Sequence, residues 1–131
     1  KQIPIHGNGK AQRQWIHVMD HCSAIWKILQ NSSFGHVYNI PGNYEIDNLS
    51  LAKKVLLLMH KKEDLLTFVT ERPGHDTRYA ISSKTIKKNL NFSPEIIFSK
   101  GIQQTIDLYF ENKNWWKKEF SSIQNPTPWI K

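Results

Sequence analysis

Within RPGHDTRY, Arg72 to Tyr79, two arginines, a histidine and an aspartate surround a Pro-Gly turn. Proline fixes φ and glycine accepts conformations other residues avoid, so the chain bends at Pro73-Gly74 and lets Arg72 and His75 point to one side. A guanidinium so placed can hold a diphosphate through two parallel charge-assisted hydrogen bonds, a geometry an ammonium group cannot match. The competing reading is a solvated loop whose charges pair with one another and with water. Two further segments bear on the choice.

These are IPIHGNGKAQRQWIHVMDH, from Ile3 to His21, and HVYNIPGNYEIDNLS, from His36 to Ser50. Taken with RPGHDTRYAI, in this order and spacing, they resemble the C-terminal part of the dTDP-glucose 4,6-dehydratases, a family of the extended short-chain dehydrogenase/reductases. The resemblance covers about residues 1–116 and leaves 117–131 outside. It implies an α/β fold: a C-terminal substrate-binding domain plus late elements of the Rossmann-type domain of an NAD-dependent enzyme. It further implies that Arg13, Asn48, Arg72 and His75 hold the diphosphate and ribose of a nucleotide-diphosphate sugar, while Pro4 and His6 line the base. His6 stands where the family has tyrosine, Gln14 where it has aspartate, and Pro41 where it has glycine. Thymidine and uridine both stay open as the base. In the whole enzyme so implied, NAD oxidises glucose at carbon 4, water is lost across carbons 5 and 6, and the hydride returns to carbon 6. A homodimer is implied too, with interface helices mostly in the other half. An epimerase or decarboxylase of the same superfamily, or a non-catalytic remnant or basic binding module, are the other classes.

The features a dinucleotide needs are not in these 131 residues. A pyrophosphate sits on a helix N-terminus behind a glycine-rich turn, and no GxGxxG occurs; His6-Gly7-Asn8-Gly9 reads as a hairpin turn. Of the tyrosines, only Tyr109 is followed four residues on by lysine, Lys113, and that pair lies near the end of an amphipathic helix, away from any strand-turn-helix context. The chain therefore reads as the distal portion of a larger enzyme whose NAD is bound by its N-terminal half, and the chain alone is expected to be inactive.

Composition narrows the partners. A single cysteine, Cys22, excludes an internal disulfide, fits a reducing, cytoplasmic setting, and reads as a small buried residue. The longest apolar run, Val55 to Met59, is too short to span a bilayer. The net charge of +7 comes from lysines on helix faces and in the tail, and no nucleic-acid-reading motif accompanies them. His17, Asp20 and His21 lack a further ligand at useful spacing, so no metal is expected.

The elements that must position these residues read as follows. Ile3–His6 and Gln12–Val18 form a β-hairpin, with Trp15 in the core. Asp20 caps a helix from His21 to Asn31 that buries Ala24, Ile25, Ile28 and Leu29. His36–Ile40 alternates as a strand. A helix runs from Ser50 to His60, with Asn48 a candidate cap and Leu51, Ala52, Val55, Leu56 and Met59 inside. Leu66–Val69 is a strand, and Tyr79–Ile81 is extended. Ser82 or Ser83 caps a helix to Asn91, and Ser99 caps another over Lys100–Glu111 with the stripe Ile102, Ile106, Tyr109 and Phe110. Beyond Trp116 a poorly ordered tail is expected, pinned by Trp129.

Overall fold

The computed structural model describes residues 1–31 and 35–121, the last four by backbone alone. Its elements run β1 (Ile3–His6), β2 (Gln12–Trp15), α1 (Val18–Asn31), β3 (Tyr44–Asp47), α2 (Asn48–Leu58), β4 (Leu66–Val69), β5 (Arg78–Tyr79), α3 (Lys84–Leu90), α4 (Phe98–Glu111) and α5 (Lys113–Ser121). The helix α5 thus enters the segment expected as a tail; the rest of that segment, with Trp129, lies outside the described residues.

The hairpin is not formed. β1 pairs in parallel with β4, Ile3 opposite Leu66 and His6 opposite Val69, whereas β2 sits between antiparallel β3 and parallel β5 in a separate three-stranded sheet. The Gly-Asn-Gly turn exists: Gly7 and Gly9 have φ of +57° and +70°, and Gly9 N donates to His6 O at 3.1 Å. It hands the chain from one sheet to the other instead of folding it back, because Gly7 N is taken by Val69 O and Gly9 O by Leu49 N. No ladder forms at His36–Ile40, which is not a strand here.

Asp20 does not cap α1. It lies inside the helix, 5% exposed, and its two carboxylate oxygens accept from the backbone N–H groups of Glu95 and Ile96 at 3.1 and 3.0 Å. The local cap pattern was outweighed by donors of a distant loop, which would otherwise be left unpaired in a half-buried place. Around Ala24 the core gathers Ile86, Leu90 and Phe92, with Ile28, Tyr38 and Ile40 packed on it. Ile25 and Leu29, expected inside, lie about 100° or more around the helix from Ala24 and are exposed, as is Cys22.

The cap of α2 is Asp47, not Asn48: Ser50 N and Oγ donate to its two oxygens at 2.8 and 2.7 Å. Of the residues expected inside α2, Leu56 is buried and Leu51, Ala52, Val55 and Met59 are half-buried. α4 starts at Phe98, before Ser99, and Ile106 is its buried contact while Tyr109 and Phe110 stay about half exposed. Ser83 occupies the cap position of α3 without a side-chain bond. Trp15 ends β2 at 38% exposure, on the rim of the fold and not in the core. No helix among the described residues is long and apolar enough to cross a membrane.

Candidate anion-binding site

Two pairings of strands bring the loop 70–79 against the rest. Parallel β1–β4 pairing sets His6 beside the start of the loop, where its Nδ1 lies 3.1 Å from Thr70 O. Parallel β2–β5 pairing sets Arg13 opposite Tyr79. Between these anchors Arg72-Pro73-Gly74-His75 makes a tight turn, His75 N donating to Arg72 O at 3.2 Å and Gly74 at φ +67°, as proline and glycine in the two central positions require.

The side chains converge on His75. Arg13 Nη2 lies 2.6 Å and Arg72 Nη2 3.1 Å from His75 Nε2, while His75 Nδ1 lies 2.7 Å from Glu71 Oε1. A guanidinium has only donors, so Nε2 must present its lone pair and Nδ1 must carry the proton given to Glu71. The Glu71 carboxyl is held below its ordinary value by the Arg72 backbone N–H first and by the His75 hydrogen bond second. Gly7 keeps this place open: a Cβ there would overlap the Glu71 carboxylate, and its φ is positive besides.

Arg13 is gripped on its edge and on its face. Nη1 donates to Gln12 O at 2.6 Å and Nη2 to Asp76 O at 3.0 Å, and the guanidinium carbon lies 4.5 Å from the centre of the Tyr79 ring. The Tyr79 hydroxyl donates to Asp76 Oδ2, and that bond with the carboxylate's charge raises the phenol above its ordinary value. Both nearby carboxylates are thus engaged elsewhere, and the hydrogen bonds of Arg13 end on neutral acceptors. Arg78, the other arginine of the loop, is turned away and forks onto Glu45 at 2.6 and 2.9 Å. The cleft so formed has a volume of about 540 Å³ and is lined by Arg13, Arg72, Pro73, Gly74, His75, Asp76 and Tyr79. Its donors can take an anion with several acceptor oxygens.

Of the residues singled out by sequence, Arg13, Arg72 and His75 meet in this cleft. His6 stands at its edge beside Glu71. Pro4 sits mid-strand opposite Thr67, and Asn48 opens α2 with its N–H on Ala11 O at 3.2 Å; neither lines the cleft. Glu71, Asp76 and Tyr79 were missed. Asp76 and Tyr79 were inside the flagged loop, but only the β2–β5 pairing shows that they serve Arg13. Among the described residues no group of three or more histidine, cysteine or carboxylate side chains could hold a metal. A second cleft of about 440 Å³, between α2, α4 and α5, is apolar apart from Thr105 and Lys113.

Comparison with known proteins gives a consistent set. The family profile described as GDP-mannose 4,6 dehydratase matches residues 1–105. The dTDP-glucose 4,6-dehydratase of Streptomyces niveus is 40% identical over 117 residues, 89% of this chain and 35% of that protein. The crystal structure of dTDP-glucose 4,6-dehydratase from Bacillus anthracis in complex with NAD superposes with a TM-score of 0.83 at 39% identity, over 90% of this chain and 37% of that one. The dTDP-glucose 4,6-dehydratase of Streptomyces venezuelae with NAD and TYD bound gives 0.85 at 32% identity, over 89% and 36%. The chain therefore has the fold of the matching part of these enzymes, and spans about a third of the length of the curated relatives it matches.

Proposed function

The chain belongs to the GDP-mannose 4,6-dehydratase family, and from that premise we propose that it is the nucleotide-sugar-binding portion of a 4,6-dehydratase acting on dTDP-glucose. The observation that carries this is the convergence of Arg13 and Arg72 on one point, His75 Nε2, from segments about sixty residues apart in sequence. Two guanidiniums aimed at one spot are what a diphosphate needs, since its oxygens can replace the imidazole nitrogen as acceptors. In this reading Arg13, Asn48, Arg72 and His75 hold the diphosphate and ribose, the two guanidiniums taking the diphosphate oxygens, and Pro4 and His6 line the base. Residues 1–116 form this portion, and 117–131 lie outside it.

NAD does not fit the residues present: the sequence holds no glycine-rich strand-to-helix turn, so no residue is assigned to it and no step is derived through it. In the proposed enzyme it is bound by the remaining two-thirds, with the groups that move protons and hydride. The contribution of this chain is orientation. A diphosphate held at two guanidiniums fixes the hexose, and binding energy remote from the reacting carbons lowers the barrier by positioning them. In this reading the enzyme is a cytoplasmic homodimer.

The test is product analysis. Full-length protein incubated with dTDP-glucose and NAD is expected to yield the 4-keto-6-deoxy sugar nucleotide. A 4-epimer or a decarboxylated product in its place would overturn the assignment.

A further inference from the structure

We propose that Tyr79 is a positioning residue of the clamp: its ring face sets the plane of the Arg13 guanidinium, and its hydroxyl, tied to Asp76, sets the ring. The inference rests on the diphosphate reading above and deepens it.

Arg13 has a long, flexible side chain and lies half-buried on a short strand; unaided, its head would sample many orientations. Its bonds to Gln12 O and Asp76 O, and to His75 Nε2 until an anion takes that place, all lie along the edge of the guanidinium and leave its tilt to be set from the face. A face-on contact removes that freedom, and the ring lies 4.5 Å below the guanidinium carbon. The ring is itself held at both ends. Its backbone is in register with Arg13 through the β2–β5 ladder, and its hydroxyl reaches Asp76 Oδ2 within the same loop. Asp76 thus acts twice, its carbonyl on the edge of Arg13 and its carboxylate on the ring beneath. Tyr79 itself is 56% exposed, so burial does not account for an aromatic residue here. What it covers is the cation.

A bidentate fork needs both N–H groups of an edge aligned with two oxygens, so a tilted guanidinium keeps its charge and loses its geometry. Titration of full-length protein with dTDP is therefore expected to show Tyr79→Leu weakened about three- to tenfold, and Tyr79→Phe, which keeps the face and loses only the tie to Asp76, by about twofold. In an Arg13→Ala background Tyr79→Leu is expected to change nothing further. Equal losses in both backgrounds, or a Phe variant as weak as Leu, would overturn the proposal. A ligand-free measurement separates it from the reading it rests on: the Arg13 guanidinium 15N–1H signals should be resolved in wild type and averaged by rotation in Tyr79→Leu. Unchanged signals overturn the positioning role even where dTDP binds; resolved signals that collapse, in a protein that takes no dTDP, overturn the diphosphate reading and with it the role of Tyr79 in the clamp.

Discussion

His75 Nε2 accepts from Arg13 Nη2 at 2.6 Å while its Nδ1 serves Glu71 at 2.7 Å, so one imidazole links a strand cation to a loop carboxylate. The imidazole stands where the site's donors meet, and its tautomer is fixed by a group on its far side. Removing that group is expected to release it. In Glu71→Ala, the 15N shifts of His75 should move from the Nδ1-protonated form toward a mixture; shifts identical to wild type would mean that the arginines alone decide the tautomer.

The cap of α2 gives a pH dependence. Burial pushes the Asp47 carboxyl up, but hydrogen bonds from Ser50 N and Oγ, aided by Lys10, outweigh it, and the group lies below its ordinary 3.8. A depressed carboxyl contributes stability that is full above its unfolded value and is lost as pH falls through the folded one. The melting temperature of Asp47→Asn should therefore fall less steeply than that of wild type below about pH 4. At neutral pH Asp47→Ala should cost about 1 kcal/mol, a usual value for an N-cap.

Gly42 marks a close crossing. A Cβ there would overlap the Trp15 carbonyl, which is backbone and cannot swing aside. Gly42→Ala is expected to destabilise by about 3 kcal/mol or more, in the range of severe overpacking. Gly74→Ala, with open space but φ of +67°, should cost roughly 1–2 kcal/mol. Denaturant melts of the two variants check the order.

This chain alone is expected to make no keto-sugar and to bind NAD weakly, for want of a glycine-rich turn. Its helix α1 exposes Val18, Ile25, Trp26 and Leu29, an apolar face that favours loose folding when uncovered. Product formation by the purified 131-residue chain, or a sharp two-state thermal transition, would contradict this.

What was legible in the sequence was local. The turn at Pro73-Gly74, the strand Leu66–Val69 and the span of α3 follow from residue types within a few positions, and each stands where the pattern put it. What was not legible depends on chain segments far apart. Ile3–His6 looked like one arm of a hairpin because Gly-Asn-Gly follows it, yet its partner is more than sixty residues away. Asp20 looked like a cap because a helix follows, yet its oxygens answer Glu95 and Ile96. The same limit hid Tyr79: one strand of alternating residues cannot reveal that its parallel neighbour puts a guanidinium over its ring.

The central claim is that Arg13 and Arg72 form a diphosphate clamp, and calorimetric titration of dTDP into full-length protein tests it most directly. Arg72→Ala is expected to lose about 2–4 kcal/mol of binding, Arg72→Lys to recover only part of it, and Lys53→Ala, whose exposed pair with Glu63 contributes little, to bind as wild type. Unaltered affinity in Arg72→Ala together with abolished affinity in Lys53→Ala would contradict the clamp and locate binding on the basic helix surface.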